Sequence, residues 1–180
     1  VPIVTAFLAG IAGLFIMLDA SRADGRLAIA GVPARTVGAT RILLISLFGV
    51  AVALLAVGVT VIHNRPKDLF GFAFANLLVA LSYGFIGALA FLAVGRLGGA
   101  HLMLFVPMID IGIFQDPMMI SGEPPGWMKL LPGFGGTRFA LDAGFTERGD
   151  DWPALLAALV WAVALALAAA FVFVVRTRRA

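Results

Sequence analysis

The chain has 180 residues, 62% of them hydrophobic and 13% charged, with a mean hydropathy of +1.05. A water-soluble domain carries about 25% charged residues, so this composition excludes one and points to an all-α, polytopic membrane bundle. The net charge is only +3 and there is no cysteine, which removes disulfides and thiolate metal sites, while arginines at span ends instead of along one polar face argue against nucleic acid.

The predicted spans cover about residues 3–18, 42–62, 69–95, 100–115 and 153–175. The first is short for a span of ~20 residues. Residue 1 is Val with no charged stretch before it, so the chain opens inside an element and a further N-terminal helix is expected ahead of it. Residues 19–41 form a polar, basic gap. His63-Asn64-Arg65-Pro66-Lys67-Asp68 predicts a tight turn, because Pro66 interrupts a continuous helix. Arg96-Leu97-Gly98-Gly99 predicts a second. Asp116-Pro117 should end the fourth span, since the residue before proline is pushed out of the α region. The last span has Asp150 and Asp151 at its start and Arg176, Arg178 and Arg179 at its end, an order that suits the helix dipole.

Five spans place residues 19–41, Arg96 and the C-terminus on one side. That side holds eight basic residues, against five on the other side among seven acids. The bias assigns the first side, with the C-terminus, to the cytoplasm.

Two connecting segments stand out. In the cytoplasmic gap, Arg22 and Arg26 are four apart and share a helix face. Gly25 and Gly31 weaken a helix there, and Pro33 breaks it or sets up a turn. The segment reads either as a basic connector or as a short interfacial helix offered to a partner. On the opposite side, residues 116–152 are too apolar for a solvated loop. They are also too broken by Pro124, Pro125, Pro132 and the Gly133/Gly135/Gly136 cluster to cross a membrane. Irregular backbone at membrane depth must be covered by protein or line a cavity, so short re-entrant or interfacial helices are expected, one of them N-capped by Thr137 over about 138–143.

Asp110 is the lone acid inside a predicted span, and intramembrane carboxylates are costly. It reads as a group near a mouth, as one bonded to a neighbouring helix, or as a coupling site for a proton or ion. Asn76 and Tyr83 are polar positions on the third span that line a path or bond across helices. No Walker motif, HExxH, GxSxG or paired-carboxylate pattern occurs. The chain is therefore assigned no catalytic residue, metal ligand or cofactor.

The order of these parts resembles the permease subunit of ABC-2 type exporters. The features that carry the likeness are a span, the basic DGRLAIAGVPART segment, two spans joined by a tight turn, then a span leading through QDPMM and LPGFGGTRFALDAGF to a final span. The resemblance covers the whole chain and corresponds to helices two to six of a six-helix fold. It implies a coupling helix that docks on an ATPase subunit, containing Arg22, Gly25, Arg26, Leu27, Gly31, Pro33 and Arg35. It implies an outer gate of short re-entrant helices containing Gln115, Asp116, Pro117, Leu131, Pro132, Gly133, Phe134, Arg138, Phe139 and Phe145. It further implies a dimer with a second permease subunit, identical or not, in the plasma membrane. ATP and Mg would be held by separate ATPase chains, and the cargo would be a drug, lipid or other amphipathic molecule. A secondary transporter coupled through Asp110 is the alternative, and a non-transporting membrane scaffold a third reading.

Overall fold

The computed structural model describes residues 1–115, 125–147 and 149–177, and the side chains of these apart from 20–29, 34 and 177. The described chain is helical. Its elements are α1 (Pro2–Ile29), α2 (Ala34–His63), α3 (Leu69–Pro107), a π-helical turn (Met108–Ile113), a 3-10 turn (Gly126–Leu130), α4 (Pro132–Phe145) and α5 (Trp152–Thr177). Four stretches among the described residues are long and apolar enough to cross a membrane: Pro2–Asp19, Arg35–His63, Leu69–Ile113 and Trp152–Arg176.

The third stretch is not one rod. Gly95 has φ 74° and ψ -166°, a backbone region open essentially to glycine alone. Tyr83 and Asp110 are 27 residues apart yet hydrogen-bonded at 2.5 Å. A continuous helix would separate them by about 40 Å. The chain therefore turns back at Gly95 into two antiparallel limbs, 69–94 and 96–113. The reversal replaces the turn expected at Arg96-Leu97-Gly98-Gly99 with a single residue. It packs Met103 of the second limb against Ala90 of the first and Leu14 of α1.

The first limb is the centre of the bundle. α1 runs parallel to it, so that Thr5 meets Asn76, Ala9 meets Ala80 and Met17 meets Leu92. α2 runs antiparallel, from Ile45 beside Phe85 to Val57 beside Phe72. α5 is parallel again, from Ala158 beside Leu78 to Phe173 beside Leu92. One end of the bundle, the Gly95 end, carries Gly31, Gly95 and Arg176. The other, the α4 end, carries His63, Leu69 and Trp152.

α1 does not stop at the polar residues after Leu18. It continues to Ile29 and ends at Gly31, whose φ of 80° reverses the chain before Pro33 and α2. Residues 19–29 of the polar gap are thus helix continuous with the first span, and residues 34–41 already belong to α2, so only the turn around Gly31 and Pro33 interrupts the helices. α4 also differs from expectation. It starts at Pro132, so Thr137 lies within it and does not cap it. Proline suits the first helical position because its missing N–H needs no partner there. The start of α5 matches its acids: Ala154 N–H donates to Asp151 Oδ1 at 3.2 Å.

Where α1 crosses the first limb, glycine allows backbone to approach backbone. A Cβ placed on Gly87 would collide with the carbonyl oxygen of Gly10, and one on Gly13 with that of Gly84. Such contacts suit apolar surroundings, where dispersion and close fit drive helix association. Gly87→Ala is therefore expected to destabilise the folded chain in detergent by about 1–3 kcal/mol. Gly58→Ala, with nothing within 4 Å of the added carbon, should be neutral or slightly stabilising. Thermal unfolding of the two variants checks the contrast, and equal midpoints would refute the close-packing account.

Candidate functional site

Asp110 sits in the π-helical turn and is only 5% exposed. Pro107 precedes it and cannot donate to the preceding helical turn. The ladder widens after it, and Phe114 N–H bonds back to the Ile109 carbonyl at 3.0 Å. Wide turns of this kind re-aim side chains and are frequent at functional positions.

The carboxylate gathers donors from separate elements. Tyr83 of the first limb donates its hydroxyl to Oδ2 at 2.5 Å. Gly133, at the start of α4, donates its backbone N–H to the same oxygen at 2.9 Å. Gln115 donates Nε2 to Oδ1 at 3.5 Å, a long contact. A carboxylate at a helix N-terminus also gains from the helix dipole. These groups offset the cost of placing a carboxylate among apolar helices.

The depth of this cluster matters. Tyr83 is 14 residues past Leu69, about 21 Å down the limb. It lies roughly midway between Leu69 and Gly95. Asp110 is therefore not near a mouth, as its neighbours Gln115 and Asp116 suggest in sequence. It is bonded to a neighbouring helix deep in the bundle. Gly133 lies at the same level, so α4 begins at mid-depth and rises beside the first limb until Asp68 N–H reaches the Ala143 carbonyl at 2.9 Å.

α4 is held along its length. A Cβ on Gly133 would crowd Ile111, Asp110 and Tyr83, and one on Gly136 would meet Val79 at 2.5 Å. Gly135 lies against the Ala154 carbonyl of α5. The PGFGG run thus reads as a close-packing surface. Arg138 donates to Asp151 at 2.6 Å and lies 5.9 Å from the Phe134 ring centre. Phe139 is buried with Phe72, Ala75 and Ala140. Among the described residues, Thr137 Oγ1 is a buried polar atom without a hydrogen-bond partner.

Of the residues singled out from sequence, Tyr83, Asp110, Gly133 and Gln115 come together. Leu131 and Pro132 set the start of α4 just below them, and Phe134 is buried beside Leu131 in the first turn. Asn76 joins a different pair: Thr5 Oγ1 lies 3.3 Å from its Oδ1, while its Nδ2 donates to the Phe72 carbonyl at 2.9 Å. Phe145 is exposed at the top of α4. His63 and His101 bond to carbonyls of their own helices and do not enter the cluster. Asp116 and Pro117 lie outside the described residues, as do the side chains of Arg22, Gly25, Arg26 and Leu27, whose backbone belongs to the last turns of α1. Gly31 and Pro33 form the following turn, and Arg35 is exposed. The backbone N–H of Gly133 is a member of the Asp110 cluster that residue type could not flag, and Thr5 is the partner of Asn76 that the sequence did not single out. No protein-family model, curated protein or solved structure matches the chain.

The cluster can act as a latch that ties the start of α4 to both limbs of α3. Asp110→Leu leaves the Tyr83 hydroxyl and the Gly133 N–H without an acceptor, at about 1–3 kcal/mol each. Hydrogen exchange in the first turn of α4 is expected to quicken markedly in this variant. Asp110→Asn keeps one oxygen for both donors and should be milder. Unchanged exchange in Asp110→Leu would rule out the latch.

Proposed function

We propose that the chain is the membrane-spanning permease subunit of an ATP-driven exporter of the ABC-2 type. It moves a drug, lipid or other amphipathic molecule out of the cell across the plasma membrane. The observation that supports this reading is the placement of α4. A short helix that begins at mid-depth and rises to the α4 end has the form of the re-entrant segment before the last span in that family. In this reading the α4 end faces outward and the arginine-bearing Gly95 end faces the cytoplasm, C-terminus included. The end of α1, the Gly31–Pro33 turn and the start of α2 then meet the ATPase subunits. ATP and Mg are held there, on separate polypeptides, and a second permease subunit completes the transporter. Closure of the ATPases pushes the basic turn, and the displacement reaches α4 through the helices bonded at Asp110.

The mid-depth carboxylate favours one second reading, a proton- or ion-coupled transporter working through Asp110. The first reading expects a Walker-motif ATPase, encoded by a neighbouring reading frame, to copurify with the chain. Joint replacement of Arg22, Arg26 and Arg35 by Glu should abolish that copurification. Retention of the ATPase by the triple variant would sink the docking assignment. Asp110→Asn separates the two mechanisms: export persists if ATP drives it and is lost if a titrating carboxylate does.

A further inference from the structure

A groove of about 730 Å3 lies between α2, the first limb of α3 and the start of α5, at the α4 end. None of Tyr83, Asp110 and Gly133 lines it, so it is separate from the latch. Aliphatic side chains line it, with Leu54 and Val57 from α2, Leu77 from α3 and Leu155 from α5. Aromatic rings line it as well, among them Phe74, Phe139 and Trp152. Among the described residues, the ionisable side chains lining it are Asp68 and Asp150, which precede the starts of α3 and α5.

Asp68 caps α3, accepting from Gly71 N–H at 2.9 Å, and its other oxygen accepts from Gly149 N–H at 3.3 Å. Backbone donors fix its position, and among the described residues no cation is ion-paired with it. Arg138 is engaged with Asp151. A pocket of apolar walls, aromatic faces and two carboxylates suits an apolar cation: the ring quadrupoles and the acids attract the charge, and the walls take the body. The same carboxylates repel an anion and offer nothing to a hydrocarbon chain.

We propose that this groove binds a lipophilic monocation, with its apolar body between α2 and α5 and its charge near Asp68, Asp150 and the Trp152 ring. The site belongs to this chain and stands whether or not an ATPase drives transport. The test is equilibrium binding to the full chain in detergent with tetraphenylphosphonium and tetraphenylborate, which share a shape and differ in sign. The cation is expected to bind at least about tenfold more tightly than the anion. Asp150→Asn, at an exposed side chain, and Asp68→Asn, which keeps a capping oxygen, should together weaken the cation about fivefold and narrow the gap to the anion. Leu54→Trp, on a lipid-accessible face, should weaken both ions by filling the groove. Equal affinity for the two ions would overturn the proposal in favour of a lipid chain as occupant. So would cation binding indifferent to Asp150→Asn alone, or to Leu54→Trp.

Discussion

The reversal at Gly95 is the constraint on which the rest of the bundle depends. A single residue with positive φ turns a long apolar segment into two limbs. Only then can Asp110 reach Tyr83, and only then can Met103 lie against Leu14 and Ala90. The tightness of the turn also sets the register between the limbs. A longer connection would let them slide, and a carboxylate buried in apolar surroundings cannot tolerate losing its donors. Local backbone freedom at one end thus determines a polar contact some 20 Å away.

That contact in turn positions α4. A helix starting inside a packed bundle exposes unpaired N–H groups at its N-terminus that need acceptors from neighbouring elements. Pro132 removes one such donor and Asp110 accepts another from Gly133. Glycines then let α4 lie against the first limb on one side and α5 on the other. Any rearrangement of α4 must break the Asp110 bonds or carry α3 with it. The groove beside α2 is built differently, from apolar walls and acids held at a helix start, so the two regions can serve different purposes.

Much of the architecture was legible in the residues because it follows from solvation. Long apolar runs interrupted by His63–Asp68 and flanked by arginines can only be helices that hide their backbone groups. The broken stretch before α5 was also recognisable, since proline and glycine at that density preclude a further crossing. Where reading failed, a distant contact was responsible in one case and local backbone conformation in two. Thr137 is a good capping residue by type, yet the cap of α4 comes from Asp110, 23 residues earlier. The polar residues after Leu18 look like a loop, yet nothing before Gly31 forces the helix to stop. Glycines at Arg96-Leu97-Gly98-Gly99 look like a turn, yet Gly95 alone adopts the required dihedrals.

By itself the sequence determined that this chain is built of long apolar helices, and it marked the oddity of one acid among them. Those properties depend on composition and on neighbours within a turn or two. Tertiary structure alone decided what Asp110 touches, how deep it lies, where α4 begins and which residues enclose the groove. Each of these depends on pairing between segments far apart in the chain. The pairing energy comes from close fit and from buried donors finding acceptors, and neither leaves a periodic mark in the order of residues.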